Sequence, residues 1–534
     1  MTDILVIQLA HLGDFLQTTP LLAALKSFDP ERKLTVLVSS AQGDLARKYD
    51  LVDEVIEIDL AELKKQALPQ DRLSQALLNL KRSLGFLARR KFDRIINLNT
   101  SRVAALIGAL PSAGRREGPR IGTDRSQLLT SPWASFIMNL MPRRRLLRFN
   151  LVDLWNSFAE SGNKPAGGLL YPMNHGRRSA ARALLGSKIR GPLVGLQLGS
   201  RNEARQWPAA NFAALAAGLM EKERGRIILL GALSENDLGR TVMTELAAMC
   251  PDRGPDVINL IGRTSLDELA GVLAELDLLV TTDTGVMHLA AALKKQILAL
   301  FMGPAWVHET GPYGPGHVIL QAGPDCSPCL ENRPCDHNYR CRKLISPEMA
   351  LAAAGWVLNP IPAHLPSPGS LGEEVRLYIS DLDRFGVKYR PLAPVRLDRR
   401  EILALACREA GRTYIRPSYH GNLDALCREL AGYRPPEVTT LLELTGDQVA
   451  LEAMTARPGL AACGRPPTND PDQAALARLI NGLIQGGETQ AAAGFAANVI
   501  QVLKLVNQTC AESRVGDYFP GLARSLVTHH GGTY

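Results

Sequence analysis

Short apolar runs recur along the first two thirds of the chain, separated by stretches whose apolar residues fall every three or four positions. ILVIQLA (4–10), LTVLVSS (34–40), VDEVIEID (52–59) and DRIINLN (93–99) read as strands, and PLLAALKSF (20–28) has helical spacing. The same grammar resumes with PLVGLQLGS (192–200), the amphipathic NFAALAAGLMEKE (211–223), RIILLGA (226–232), DVINLIG (256–262), DLLVTTD (277–283) and QILALFMG (296–303). Strands alternating with helices imply parallel sheets joined by right-handed crossovers. The pattern predicts an α/β protein with two doubly wound domains, residues 1–170 and 171–358, and a ligand cleft between them at the carboxyl ends of the strands. The Pro-rich NPIPAHLPSPGSLG (359–372) reads as a linker, and 373–534, rich in Ala, Leu, Arg and Glu at helical spacing, as a mostly helical region of unassigned role.

Composition narrows the class. The 534 residues are 46% hydrophobic and 21% charged, which excludes a disordered or fibrous chain. Nine Cys are too dilute for a disulfide scaffold, and no apolar run is long enough to span a bilayer. The N-terminal stretch carries Asp3 and lacks a basic lead, so it reads as a strand and the protein as cytoplasmic. The net charge of +8 is mild, but eight arginines (115, 116, 120, 125, 143, 144, 145 and 148) cluster against only Glu117 and Asp124. Such a run suits an anionic partner, or a solvated face. The adjoining uncharged SQLLTSPWASFIMNLMP (126–142) reads either as a buried helix or as a segment lying on the cytoplasmic face of the inner membrane.

Three segments carry candidate chemistry, each at a strand-to-helix junction. In LGDFLQTTP (12–20), Gly13 permits a tight turn and Asp14 is placed either as a general base or as a helix-capping carboxylate. In GSRNEARQWP (199–208), Ser200 offers a donor while Arg201 and Arg205 can neutralise phosphate. In TTDTGVMHLAAAL (281–293), the amides of Thr284, Gly285 and Val286 open a helix and can bind a pyrophosphate at its positive end, with His288 one turn along. Asp-Thr-Gly also marks aspartic proteases, which the α/β context excludes. No G-x-G-x-x-G follows the first strand, against a nicotinamide enzyme.

These motifs, with ILLGALSEND (228–237) and INLIGRTSLDELAGVLAELDLLVTTDTG (258–285), resemble glycosyltransferase family 9, the bacterial heptosyltransferases of lipopolysaccharide core synthesis. The resemblance covers residues 1–358. It implies a GT-B arrangement of two Rossmann-like domains, closing about a hinge near 165–195, and a metal-free inverting transfer from a nucleotide sugar, typically ADP-heptose. By position it implies Asp14 as base and Arg205, where members usually carry Lys, against the donor diphosphate. It implies Ser200 and Arg201 in the donor loop, Glu235 at the ribose, Thr264 near the adenine, and Asp283, Thr284, Gly285 and His288 around diphosphate and sugar. On the acceptor side His11 and Gly13 flank the base, with Gln8, Ala10 and His11 replacing the basic residue and serines usual in the family; Arg120 and Arg143 are further acceptor candidates. The implied acceptor is a lipopolysaccharide-core or lipid-linked hydroxyl. A protein acceptor, or a non-catalytic nucleotide-sugar-binding module, are the alternatives; nucleic acid is not an expected partner.

CSPCLENRPCDHNYRC (326–341) spaces Cys326, Cys329, Cys335 and Cys341 as C-x2-C-x5-C-x5-C, with His337 among them. Four thiols so close can surround a structural zinc or iron, or remain free thiols or a disulfide. A similar cluster occurs in many family 9 members. Catalysis itself is expected to need no cofactor.

Overall fold

The computed structural model describes residues 2–67, 78–79, 82–122, 127–129, 141–159, 167–173, 175–186, 191–331, 333–361, 366, 368–383, 385–392, 399–415, 499–500 and 503. The chain divides into two compact units, Met1–Thr130 with Phe149–Ala393, and Ser131–Arg148 with Pro394–Tyr534.

The first unit holds two sheets. Strands β1 (Asp3–Gln8), β2 (Lys33–Ser39), β3 (Glu54–Ile58), β4 (Lys91–Asn97) and β5 (Ser112–Glu117) form an all-parallel sheet in the order β3-β2-β1-β4-β5. A second sheet contains β8 (Leu193–Gln197), β9 (Arg226–Leu230), β10 (Val257–Asn259), β11 (Leu278–Thr282), β12 (Ile297–Phe301), β13 (Val318–Ala322), β14 (Val375–Asp383) and β15 (Gly386–Pro391). Its order is β10-β9-β8-β11-β12-β13-β14-β15. It is parallel through β13 and antiparallel thereafter. A separate hairpin pairs β6 (Pro119–Ile121) with β7 (Gln127–Leu129). In both sheets the order reverses beside the first strand, between β1 and β4 and between β8 and β11. Those switch points open crevices at the strands' carboxyl ends, where such sheets bind ligands.

The helix after β1 runs Leu12–Phe28, starting earlier than the apolar spacing of 20–28 indicates, with Pro20 inside it. Proline has no N–H for the carbonyl of Leu16 four residues back. The Thr19 hydroxyl donates to that carbonyl at 2.7 Å, so the helix passes through the proline without leaving the acceptor bare. This helix packs on the helix Gly285–Ala292 of the second sheet, and a single apolar cluster contains Phe15, Leu16 and Leu21 from one half with Met287, Leu289 and Ala290 from the other.

Residues 375–391 correct the expectation of a helical region beginning at 373. Val375–Asp383 and Gly386–Pro391 are strands, completing the edge of the second sheet, and the stretch 359–372 includes a short helix, Pro368–Leu371. In VRLYISDLD the adjacent Leu377 and Tyr378 point to opposite faces and both are buried, as is Val375, so this strand is covered on both sides. Gln127–Leu129 is likewise strand, where 126–142 reads as helix; 130–140 lie outside the described residues, as do parts of the expected hinge (165–166, 174 and 187–190). Among the described residues no helix is long and apolar enough to cross a membrane.

In the second unit the helix Arg399–Ile415 contacts the turn Met141–Leu146, and Arg148 forms a buried ion pair with Glu401. The arginine run is therefore not one surface. Arg148 is buried, Arg115 pairs with Glu117 at 2.8 Å, and Arg116 donates to the Ala113 and Pro111 carbonyls. Residues 416–498, with Cys427 and Cys463, and Cys510 lie outside the described residues.

His317 precedes β13 and is buried, its backbone exchanging hydrogen bonds with Ser380 of β14 at 2.9 and 2.8 Å. Burial pushes its imidazole down from 6.5 to about 4. The unfolded chain therefore takes up a proton that the folded chain refuses. Stability present above pH 6.5 should fall as pH drops towards 4, by up to about 3 kcal/mol from this group. Urea midpoints across that range check it; His317→Gln should flatten the slope.

Candidate active site

The two switch points face each other. Helix Leu12–Phe28 begins at the first, with Asp14 in its opening turn; the Asp14 carboxylate accepts the His11 N–H at 3.0 Å, so the residue does cap the helix. Helix Gly285–Ala292 begins at the second. Gly13 sits against it so closely that a Cβ there would lie 2.7 Å from Cδ2 of His288 and 3.4 Å from Cα of Gly285. Only glycine allows this approach. One turn on, the Gln17 side-chain amide lies 3.1 Å from Nε2 of His288, whose Nδ1 is buried with no partner among the described residues. Burial lowers the proton affinity of His288 and Arg205 adds to it; Asp283 and Asp14 oppose. The imidazole is accordingly neutral near pH 7.

Arg201 reaches across to donate to Nδ1 of His11 at 2.8 Å. Burial and then Arg201 lower the His11 proton affinity, against Asp14. Arg205 closes the short turn Glu203–Arg205 after β8. Its Nη1 lies 3.1 Å from Oδ2 of Asp283, which is buried and also accepts the Thr310 hydroxyl at 3.0 Å. Its Nη2 pairs with Glu331, whose backbone carbonyl and Oε1 accept from Asn202 at 3.0 and 3.2 Å. Thr284 Oγ1 lies 3.2 Å from Thr281 Oγ1, and the first amides of its helix have no partner within the helix.

Further along the same sheet edge, Glu235 accepts the Ala232 N–H at 2.8 Å, and burial raises its carboxyl above the ordinary range. A Cβ on Gly199 would lie 1.9 Å from its carboxyl carbon, so this carboxylate requires a glycine after β8. Ser200 is buried beside it and Thr264 follows β10.

The structure thus brings His11, Gly13 and Asp14 together with Arg201, Arg205, Asp283, Thr284, Gly285 and His288, with Ser200, Glu235 and Thr264 along the adjoining edge. Arg120, exposed on β6, belongs to the first compact unit and Arg143 to the second. Gln17, Thr310 and Glu331 were not indicated by the sequence. Glu331 lies in the Cys segment, which carries two acidic residues, Glu331 and Asp336, and nothing in their spacing singles out the one that meets Arg205.

The four thiols share one neighbourhood. Burial raises the Cys341 thiol, and Cys329, Cys326 and Cys335 add to the rise. Cys326 is exposed, however, and Cys335 Sγ accepts the Tyr339 N–H at 3.3 Å. Among the described residues no three His, Cys, Asp or Glu side chains are grouped to hold a metal ion. The arrangement does not fit the zinc or iron that the spacing suggested, and the segment's evident connection to the site is Glu331.

Residues 77–339 match the model of glycosyltransferase family 9 (heptosyltransferase). The chain is 26% identical over 313 residues to lipopolysaccharide heptosyltransferase 2 of Salmonella typhimurium, covering 58% of this chain and 85% of that one. Residues 77–339 are a glycosyltransferase family 9 region. It is 36% identical over 129 residues to lipopolysaccharide heptosyltransferase 1 of Pseudomonas aeruginosa, covering 24% of this chain and 33% of the relative. The crystal structure of a family 9 glycosyltransferase from Veillonella parvula shares the fold, with a TM-score of 0.51 and 20% identity over 67% of this chain and 98% of that one. The paired sheets are the GT-B arrangement, and the protein is a glycosyltransferase. The family 9 match spans Ser200 to His288 and ends at 339; Gly13 and Asp14 precede it, and β14 and β15 follow it.

Proposed function

We propose that this glycosyltransferase moves a heptose from ADP-heptose to a hydroxyl of a lipopolysaccharide-core acceptor, inverting the anomeric centre. The observation that carries this reading is the meeting of the two helix starts, with Asp14 on one and Arg205, Asp283 and the Thr284–Val286 amides around the other. The relatives' names point to heptose as the sugar.

The chemistry needs charge handled at two places. As the acceptor oxygen bonds to the anomeric carbon, its proton passes to the Asp14 carboxylate. As the old glycosidic bond breaks, negative charge gathers on the departing ADP, where the Arg205 guanidinium and the helix-start amides meet it. Preorganised donors of this kind are worth about 3–4 kcal/mol each. Inversion requires base and leaving group on opposite faces of the sugar, and the two halves supply one group each. Glu235 suits the ribose hydroxyls, Thr264 the adenine side, and His288, neutral and held by Gln17, a sugar hydroxyl. His11 flanks the base on the acceptor side.

Thermal shift against a panel of nucleotide sugars tests the donor assignment, because a ligand that binds only the folded state raises its apparent stability. ADP-heptose should give the largest rise, and heptose-deficient lipopolysaccharide should gain one heptose by mass on incubation with both. A larger shift with a uridine-linked sugar, or no gain of mass, would overturn the reading.

A further inference from the structure

The edge hairpin β14–β15 lies beyond the family match, yet it reaches the donor side of the site. Tyr389, on β15, is buried, and its ring stands edge-on to His308 with centroids 5.8 Å apart. Its hydroxyl donates to the Pro312 carbonyl at 3.2 Å and accepts from the Asn150 amide at 3.0 Å; the same amide donates to the Gly311 carbonyl at 3.2 Å. Gly311 packs against the hydroxyl end of the phenol: a Cβ there would be 2.6 Å from the Tyr389 hydroxyl and 2.4 Å from the Val307 carbonyl. The turn Val307–Thr310 is therefore clamped at its end by Tyr389 and Asn150. Thr310, its last residue, donates to Oδ2 of Asp283, the same oxygen that faces Arg205.

We propose that Tyr389 is a positioning residue for the donor site, acting through Gly311 and Thr310 to orient the Asp283–Arg205 pair. This rests on the reading of that pair as the diphosphate-binding end of the site. Asp283 Oδ2 is shared between a neutral donor and a cation, so the Thr310 hydroxyl fixes which way the carboxylate presents itself to Arg205. Loss of the Tyr389 hydroxyl frees the Pro312 carbonyl and leaves the Asn150 amide only its bond to Gly311, loosening the turn that carries Thr310. The family core supplies Asp283 and Arg205; the appended hairpin sets their geometry.

The test pairs Tyr389→Phe with Thr310→Val in the full-length protein, reading ADP-heptose affinity by calorimetry and the KM for each substrate. Each single variant should weaken ADP-heptose about three- to tenfold, with the acceptor KM unchanged. Thr310→Ser should restore wild-type affinity. The double variant should be no weaker than the worse single, because both act on one carboxylate. A Tyr389→Phe protein that melts earlier but binds ADP-heptose as wild type does, or additive losses in the double variant, would overturn the proposal. Wild-type protein that fails to bind ADP-heptose would remove the donor-site reading itself, a result separate from either variant.

Discussion

Asp14→Asn should reduce the rate of sugar transfer by about 10²–10⁴-fold, the usual contribution of a positioned general base, while ADP-heptose affinity stays within about twofold. Asparagine is the informative replacement. Its side-chain oxygen can still accept the His11 N–H, so the opening turn of the helix keeps its cap. Alanine would remove base and cap together, at a cost of about 1 kcal/mol in stability from the cap alone. Single-turnover rates with saturating donor, set beside calorimetric donor binding, separate the two roles. A rate within tenfold of wild type would mean that Asp14 serves only to cap the helix.

Arg205→Ala should be the second large loss, about 10²–10³-fold in kcat/KM, with both donor affinity and rate affected. Two effects combine. The departing diphosphate loses its cation, and Asp283, 5% exposed, loses the guanidinium 3.1 Å away. An unpaired buried carboxylate is costly, so a lower Tm accompanies the loss. Arg205→Lys separates the contributions: it restores the charge but cannot serve Asp283 and a phosphate with a planar fork. It should recover most of the Tm and only part of the activity. Glu331 also bears on this result. It now pairs with Nη2, and a diphosphate must displace it; at 46% exposure it can turn into water once its Asn202 hydrogen bond breaks. If Arg205→Ala lowers Tm but leaves transfer intact, Arg205 is a structural partner of Asp283 and nothing more.

Much of the architecture was legible because parallel strands buried on both faces read as continuous apolar runs, as in β1, β8, β11 and β12. What escaped has physical reasons. SAGRRE, now β5, is an edge strand with exposed and half-buried positions, so no apolar run marks it. VRLYISDLD mixes apolar with charged residues and shows no clean two-residue period, and its Ala- and Leu-rich neighbours suggested helix. The site divides the same way. Asp283-Thr284-Gly285 announces itself as the entry to a helix, and Gly13-Asp14 marks a strand-to-helix junction, although both residues lie in the first turn of the helix and Gly13 forms no tight turn. The partners that orient them are far away in sequence: Gln17 on His288, Glu331 on Arg205, Thr310 on Asp283. No local spacing encodes such pairs; only folding brings them together.

Asp153 carries one more consequence. Its carboxylate accepts the Tyr313 hydroxyl at 2.6 Å and the Val387 N–H at 3.1 Å, and Gly386, at φ +137°, leaves no room for a side chain beside it. The last strand is thus stitched to the short helix Leu151–Asn156 that lies between the two sheets in sequence. Anyone trimming this protein to its enzymatic minimum at the proline-rich stretch would amputate two strands, bare the flank of β13 and cut that stitch. No fragment that ends before β15 keeps that stitch, and one that ends at Pro391 still strips the buried Arg148 of Glu401.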